Sequence, residues 1–541
     1  MKMRKGISIF IFLASFLASE ACWGKETYDL GKVHVVGKDS QRKEISPEIQ
    51  EISLDMGDRR MPLPEISSDT LYADTIESIP VNEAEKKEIS KPKNLKLKYY
   101  RGSRGWEKAA FSAQGVQDGY TLGAGVFREK RDAFLTETNF FDKKFNGLLK
   151  FSGEDNHELS GAIEVGEKSF GLPGTRGIPT PKMRMENDST IINLKAQSTL
   201  SDGAFLTCGA KFEKLTRNTS NYGKSALTFN EDSTFDSNRF DAEYKFASGY
   251  QSTAKAVLNL IKDNIAIDTV NQGLSKRMFA FTGEFDLNQR AYLEFGLKGS
   301  ALLGREHTSP LVKLDVRSDS PWQAVLSYDE DLGNDSMKKM FMPDYHVSLS
   351  PVQASLKKMF SFRLNYQAEE GMHLGAEIFR DREEDAVEFN DSYMTKKKIW
   401  TQTVGTVPRV TRKGLSLFGE AKLDDNLKFK VKSTLQDPKN ETVGRQLAYE
   451  PSRILETSVE YKTSKFELQF VRNAKYDLKT YYLTGNENWD FSRADITARY
   501  QFNPNLSGYI NILDLYDEAK NLRFDVPEEG RLSMVGLEMD F

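Results

Sequence analysis

The chain has 541 residues, 39% of them hydrophobic, with a mean hydropathy of −0.55 and a formal charge of −4 at pH 7. Apart from one apolar run near the start, no stretch is long and apolar enough to cross a bilayer as a helix, which excludes a helical membrane protein of several spans. The slightly negative charge excludes a general attraction to nucleic acid.

The first 24 residues have the order of a secretory signal peptide. A basic start is followed by an apolar run over residues 6–18 and by small residues up to Gly24, the predicted cleavage site. The alternative is a lipoprotein with Cys22 as its first mature residue, which Glu20 disfavours because it interrupts the small apolar pattern. Cleavage after Gly24 leaves Cys208 as the single cysteine, so the mature chain forms no internal disulfide.

Residues 25–97 form a charged, proline-bearing segment with few aromatic residues. Such a segment cannot bury enough apolar surface to offset the entropy of ordering, so we expect a largely disordered periplasmic segment. Residues 30–37 differ from it because they are β-prone and include Val33, Val35 and Val36. One interpretation is an incidental extended piece, and the other is a strand that a periplasmic partner binds by edge addition.

From residue 98 to the end, apolar and polar positions alternate in short segments separated by turn residues. Over residues 279–287, for example, Phe279, Phe281 and Phe285 alternate with polar positions such as Glu284, and a turn follows at Asn288. Because strand side chains point alternately to opposite faces, each segment is predicted to be a strand with one apolar and one polar face. The region is therefore predicted to be all-β.

Three features favour a transmembrane barrel over a soluble sandwich, in which strands also alternate. The β region runs over residues 98–541 without an evident domain break, whereas sandwich domains are shorter. Many segments approach the length that crosses a bilayer at a tilt. Short turns such as 503–505 mix with long connections such as 171–188 and 437–451, an asymmetry typical of outer-membrane barrels. We predict a transmembrane antiparallel β-barrel of about 22 strands.

The C-terminal part carries four recognisable features: an Asn-Ile-Leu-Asp segment at 511–514, a Glu-Gly-Arg segment at 529–531, an alternating end at Phe541 and a loop, 447–451, that ends in proline. In their order and spacing these features resemble the barrel of TonB-dependent outer-membrane receptors. The resemblance does not extend to the residues before the barrel, because receptors of this family carry a plug domain there. Here the plug is missing or much reduced, since only residues 25–97 precede the barrel.

The resemblance implies where the protein acts and with which partners. It implies the cell outer membrane, surrounding lipid, and a barrel assembly machinery that recognises a terminal strand ending in an aromatic residue such as Phe541. It also implies uptake or capture of an unidentified solute, with a TonB-like periplasmic energy coupler binding near Val33, Val35 and Val36. Two alternatives stay open, a passive plugless pore and a surface adhesin or scaffold barrel.

The sequence carries no recognisable catalytic, metal or cofactor motif. Its five histidines form no close pair and accompany no nucleophile motif. The acidic run at 381–385 could bind a cation through oxygens, but a solvated loop is the usual meaning of such a run. We therefore predict that the protein is not an enzyme and has no cofactor.

Two further expectations concern the barrel wall. Polar positions such as Glu284, Lys428 and Arg499 are expected to line the lumen. Tyrosine and tryptophan favour the bilayer interfaces, because one side of the ring can be apolar and the other wet. The candidates for these aromatic girdles are Tyr99, Tyr100, Trp106, Tyr481 and Tyr482.

Overall fold

The structure is a computed structural model of the chain. The predicted signal peptide, residues 25–93 and therefore Val33, Val35 and Val36 lie outside the residues that it describes. It describes residues 94–117, 119–132, 140–153, 157–172, 183–200, 204–221, 230–247, 252–267, 270–288, 291–317, 321–333, 347–348, 354–368, 371–394, 399–482, 485–516, 521–523, 526–527 and 531–541.

The described residues are almost entirely β-strand, with one short 3-10 turn at Ser103–Gly105. In this part of the chain no helix is long and apolar enough to span a membrane. The strands are β1 Asn94–Gly102, β2 Glu107–Gln117, β3 Tyr120–Arg131, β4 Phe140–Ser152, β5 Glu158–Leu172, β6 Met183–Thr199, β7 Phe205–Asn221, β8 Asn230–Ala247, β9 Ser252–Ile267, β10 Val270–Asn288, β11 Ala291–Leu302, β12 Arg305–Arg317, β13 Trp322–Gly333, β14 Val347–Ser348, β15 Ser355–Ala368, β16 Met372–Met394, β17 Ile399–Lys422, β18 Leu427–Asn440, β19 Arg445–Gln446, β20 Arg453–Lys462, β21 Phe466–Tyr482, β22 Gly485–Asn503, β23 Leu506–Leu513, β24 Asn521–Arg523, β25 Val526–Pro527 and β26 Leu532–Asp540.

The wall is a closed antiparallel barrel. Neighbours in sequence pair with each other, and the short strands β14, β19, β24 and β25 are passed over, so that β13 pairs with β15, β18 with β20 and β23 with β26. The barrel closes where β1 pairs with β26, with Tyr99 opposite Leu537. The wall therefore has 22 strands, and the predicted all-β barrel is confirmed. Its first strand begins at Asn94, four residues before the boundary expected from the sequence.

The two rims of the barrel differ in the length of their connections. At one rim, which also holds both ends of the barrel, the turns are short, for example 423–426, 463–465 and 504–505. Side chains build these turns: Asp424 Oδ1 accepts the amide N–H groups of Asn426 and Leu427. The opposite rim has longer connections such as 334–354 and 441–452. We call these the short-turn rim and the long-loop rim; in outer-membrane barrels they face the periplasm and the outside.

Alternation along each strand gives the wall an apolar outer face. On β10 the rings of Phe279 and Phe281 are 60% and 57% exposed. The side chain of Thr282, the next residue, points to the opposite face and is buried. The last strand behaves alike, with Val535 and Leu537 exposed and Glu538 buried. An exposed apolar face of this extent is stable only against lipid. The protein is therefore a transmembrane β-barrel of the outer-membrane type.

The prediction that Tyr100 and Trp106 belong to an aromatic girdle at the bilayer interface is wrong. Tyr99 faces outward and is 48% exposed, but Tyr100 and Trp106 are 2% and 1% exposed inside the barrel. Tyr100 lies opposite Gly536, where a β-carbon would overlap the Tyr100 ring. The glycine thus leaves room for an inward tyrosine at the closing pair of strands. The side chains of Tyr481 and Tyr482 lie outside the description.

One wall junction is only partly hydrogen-bonded. The β12–β13 ladder ends at Val312 and Tyr328, although both strands continue toward the long-loop rim. Beyond that point Leu332 of β13 joins an apolar cluster that contains Leu302 of β11 and Leu356 of β15. His307 and Ser309 of β12 also contact Glu330 of β13 there, at 2.7 Å and 3.3 Å, so apolar packing and side-chain hydrogen bonds together join the wall where the ladder stops.

Candidate functional site

Charged side chains paired across strands line the lumen. Glu284 accepts hydrogen bonds from the Lys245 ammonium at 2.9 Å and from the Thr253 hydroxyl at 2.6 Å. Lys428 lies 2.7 Å from a carboxylate oxygen of Glu420, and Arg499 lies 2.9 Å from Glu538. The inward placement expected for Glu284, Lys428 and Arg499 agrees with the structure, and each charge has an opposite partner, as partly buried charges require.

Polar side chains also tie the closing strands together. The Tyr100 hydroxyl donates to Glu538, whose carboxylate lies 3.5 Å from the Lys98 ammonium. Lys98 and Tyr100 belong to β1 and Glu538 to β26, the first and last strands of the barrel. Closure therefore does not depend on backbone hydrogen bonds alone.

A buried charge cluster lies beside this closure, near the long-loop rim. The Trp106 indole N–H donates to Glu129 Oε1 at 2.7 Å. Lys108 and Arg131 lie 3.1 Å and 3.3 Å from the same carboxylate. Glu129 is fully enclosed, and two cations and an indole donor compensate its loss of water. This cluster fixes the first connection of the barrel to the wall.

The connection 441–452 folds back onto the wall at the long-loop rim. Arg412 of β17 holds it: its Nη1 lies 2.9 Å from Glu383 of β16, and its Nη2 lies 2.6 Å from Glu450 of the connection. Arg412 Nε also donates to Glu450 at 2.8 Å, so the guanidinium binds that carboxylate through two of its nitrogens. Bidentate pairs of this kind fix geometry as well as charge. We call Arg412, Glu383 and Glu450 the loop clamp.

A second set of contacts supports the same connection. Glu388 of β16 accepts the amide N–H of Ala448 at 3.3 Å and lies 3.4 Å from Arg445. Leu447 is buried in an apolar cluster with Ala386, Val407 and Val410. The connection thus has a defined conformation, with a buried leucine between two acidic anchors.

The acidic run at 381–385 is not the solvated loop that the sequence suggested. It lies inside β16, where residues 381–384 pair with both β15 and β17. Asp385 has a positive φ of 56° and is left out of the β16–β17 ladder, whose register is the same on both sides of it. Its carboxylates meet arginines: Glu384 and Asp385 lie 3.2 Å and 2.8 Å from Arg305. The expectation was wrong because Arg305 of β12 and Arg412 of β17 supply opposing cations, which make the run stable in a wall strand.

The histidines of the described part are dispersed. His307 Nε2 lies 2.7 Å from Glu330, and the His373 ring contacts Phe418. His157 Nδ1 lies 2.8 Å from the Ser198 hydroxyl at the short-turn rim, and no described carboxylate orients that imidazole. Among the residues described, no group of three or more His, Cys, Asp or Glu could hold a metal ion.

Sequence reasoning missed the loop clamp. Glu383 precedes Arg412 by 29 positions and Glu450 follows it by 38, so no short motif joins them. Nothing in the local pattern distinguishes Arg412 from its exposed neighbour Lys413. The signal that could have found Glu450 is its place within 447–451, the segment on which the family resemblance was partly based.

Comparisons with known proteins agree on the fold. No protein-family model matches the chain, and no curated protein matches it significantly. Among solved structures, the siderophore receptor PirA from Acinetobacter baumannii matches with a TM-score of 0.64 at 11% identity, covering 84% of this chain and 81% of that chain. The FrpB iron transporter from Neisseria meningitidis matches with a TM-score of 0.63 at 12% identity, covering 84% and 83%. The copper transporter OprC matches with a TM-score of 0.64 at 13% identity, covering 84% and 82%.

Similarity at this level of identity establishes a shared fold. The predicted resemblance to the barrel of TonB-dependent outer-membrane receptors is confirmed at that level, over 84% of the chain. The matched chains are receptors and transporters by their names, and the fold is one of outer-membrane proteins.

Proposed function

We propose that this barrel is an outer-membrane receptor that captures a metal-bearing solute at its long-loop rim and passes it inward through the lumen. The observation that carries the proposal is the loop clamp, which holds the connection 441–452 in one conformation on the rim. A fixed loop on a rigid scaffold presents the same polar groups to every arriving solute, which is the usual basis of selective binding. The names of the structural neighbours, a siderophore receptor, an iron transporter and a copper transporter, favour a metal-bearing solute.

Two partners complete the proposal. A TonB-like periplasmic coupler would bind residues 30–37 by edge addition, with Val33, Val35 and Val36 as its contacts. The barrel assembly machinery would recognise the last strand, where Phe541 is 66% exposed and its backbone is bonded to that of Leu95 at the short-turn rim.

Binding to the purified mature chain is the direct test. Ferric siderophore-type chelates and Cu²⁺ are titrated calorimetrically against the folded protein and against an Arg412→Met variant. We expect one of these probes to bind, and to bind at least about tenfold more weakly to Arg412→Met, because ordering a released loop costs affinity. Lys413→Met is the matched control, since Lys413 is adjacent, 64% exposed and paired on the outer face with Asp437. Absence of binding by every probe would contradict capture of a metal-bearing solute.

A second measurement separates receptor from passive pore. Conductance across planar bilayers is recorded for the mature chain and for a variant that lacks residues 25–93. A receptor whose lumen is occluded by its front segment predicts low conductance for the mature chain and a large rise on deletion. High, steady conductance of the mature chain would indicate a passive pore instead.

The coupler is tested in cells. Crosslinkers placed at Val33, Val35 and Val36 are expected to capture a periplasmic protein of the energy-coupling type, and uptake is expected to stop when residues 30–37 are deleted. Uptake that persists after this deletion would remove the coupler from the proposal but leave solute binding intact.

A further inference from the structure

On four neighbouring strands, β7 to β10, the outward side chains are apolar from the short-turn side up to a common height on the wall. On β7 to β10 the outward side chains on the short-turn side of this level include Phe212, Phe240, Leu260 and Phe279, all more than a third exposed. Inward positions on the same strands are buried, which fixes which face meets lipid. The upper limit of the hydrocarbon region therefore crosses these strands just beyond those four residues.

The next outward position toward the long-loop rim is cationic on three of the four strands. Lys214 follows Phe212 on β7, Lys262 follows Leu260 on β9, and Arg277 precedes Phe279 on β10. All three side chains are exposed. None of them forms an ion pair with a described residue, although Asp236 lies opposite Lys214 in the β7–β8 ladder. Their charges are therefore available to a ligand outside the wall.

The wall is concave at the same place. Two adjoining depressions of about 820 Å³ and 320 Å³ lie here, and most of their lining residues hold outward positions on β6 to β10. Lys214 and Lys262 line the larger one, and Lys262 and Arg277 line the smaller one. Phe212 lines both, so each depression has an apolar part. The upper edges hold these cations, and the larger depression is also lined by the carboxylate of Asp236. We call this feature the cationic groove.

The combination fits one kind of occupant. Phosphate oxygens are bound by lysine as a point charge and by the planar fork of arginine in pairs of hydrogen bonds. Lipid headgroups lie just above the hydrocarbon region, at the level of these cations, and acyl chains lie below it against apolar side chains. A soluble anion would use only the cations and leave Phe212, Phe240 and Leu260 without a role.

We propose that the cationic groove is a lipid-binding site that holds the phosphate headgroup of an outer-leaflet lipid on Lys214, Lys262 and Arg277. The acyl chains of that lipid lie along Phe212 and Phe240. The site is separate from the lumen and from the loop clamp, so it stands whether or not the barrel captures a metal-bearing solute.

The test titrates diphosphoryl lipid A into the full mature chain folded in non-ionic detergent, with bound lipid counted by native mass spectrometry. A triple variant, Lys214→Gln, Lys262→Gln and Arg277→Gln, removes the three charges. Each cation at a membrane surface contributes about fivefold in affinity, so the Kd is expected to rise by about 100-fold. Binding to the unaltered chain is expected to weaken with added salt. A gel shift between boiled and unboiled samples verifies that each variant is folded.

A matched triple variant controls for charge alone. Arg101→Gln, Arg128→Gln and Lys143→Gln remove three exposed outward cations from β1, β3 and β4, on wall that lines neither depression. Lipid affinity is expected to stay unchanged in this control. Equal loss in both triples would reveal diffuse attraction and overturn the site, as would no loss in the groove triple. Displacement of the lipid by inorganic phosphate at comparable concentration would indicate a soluble-anion site and overturn the lipid assignment.

Discussion

Replacing Arg412 with methionine is expected to free the connection 441–452 from the wall while the barrel stays folded. The substitution keeps a long side chain but leaves Glu383 and Glu450, which the guanidinium joined at 2.9 Å and 2.6 Å, without their shared counter-charge. Breaking one partner of a buried ion pair costs about 3–5 kcal/mol. The Arg412 side chain is 17% exposed, so the lower end of this range, about 3 kcal/mol, applies. A free energy of about 3 kcal/mol raises the equilibrium constant for opening of the connection roughly 100-fold.

Hydrogen exchange measures that opening directly. The amides of Leu447 and Tyr449 donate to Pro438 and Lys479 carbonyls at 2.9 Å and 2.8 Å, and both should exchange about 100-fold faster in the variant. Lys413→Met should change them less than about fivefold, since an exposed ion pair contributes under about 1 kcal/mol. Unchanged exchange in Arg412→Met would refute the clamp, and faster exchange throughout the wall strands would show that the residue supports the barrel instead.

Two further variants test the wall. Gly536→Ala places a methyl group against the Tyr100 ring and the Tyr99 carbonyl, so it should destabilise the barrel by about 1–3 kcal/mol and lower the urea midpoint for unfolding. Gly115→Ala is the control, because a β-carbon there has open space around it, and it should leave the urea midpoint unchanged. Phe281→Arg on the lipid face should destabilise the barrel by about 2–4 kcal/mol in a folding titration into lipid vesicles, and the same substitution at Ala280, which faces inward, should cost clearly less; equal costs would contradict the assigned faces.

The strand pattern was readable from the sequence because a wall between lipid and a polar lumen forces every second residue to be apolar. The segment 279–287 shows this: Phe279, Phe281, Phe285 and Leu287 are exposed on the lipid face and Thr282 is buried on the inner face, as their parity predicts. The turn 503–505 was equally legible, since the Asn503 side chain accepts the Asn505 amide and so builds the turn locally. Residues close together in sequence determine these strands and this turn, so the sequence alone was sufficient to predict them.

Features that depend on residues far away in the sequence could not be predicted from the sequence. Tyr100 and Trp106 have the composition of girdle residues, but their direction follows from Gly536 on the last strand and Glu129 on β3, respectively. The run 381–385 has the composition of a loop, and Arg305 makes it compatible with a strand. In each case the deciding residue lies far away in sequence, and only the register of the closed barrel brings the two together.

A disulfide between the first and last strands tests the closed barrel most directly. In a Cys208→Ser background, Tyr99→Cys is combined with Leu537→Cys, its directly opposite partner, or with Val535→Cys, two residues out of register. The account predicts rapid oxidation of the first pair in folded protein and little of the second, because cysteines displaced by two positions are too far apart for an unstrained bond. Failure of the first pair to form, or equal oxidation of both, would contradict a barrel closed between β1 and β26.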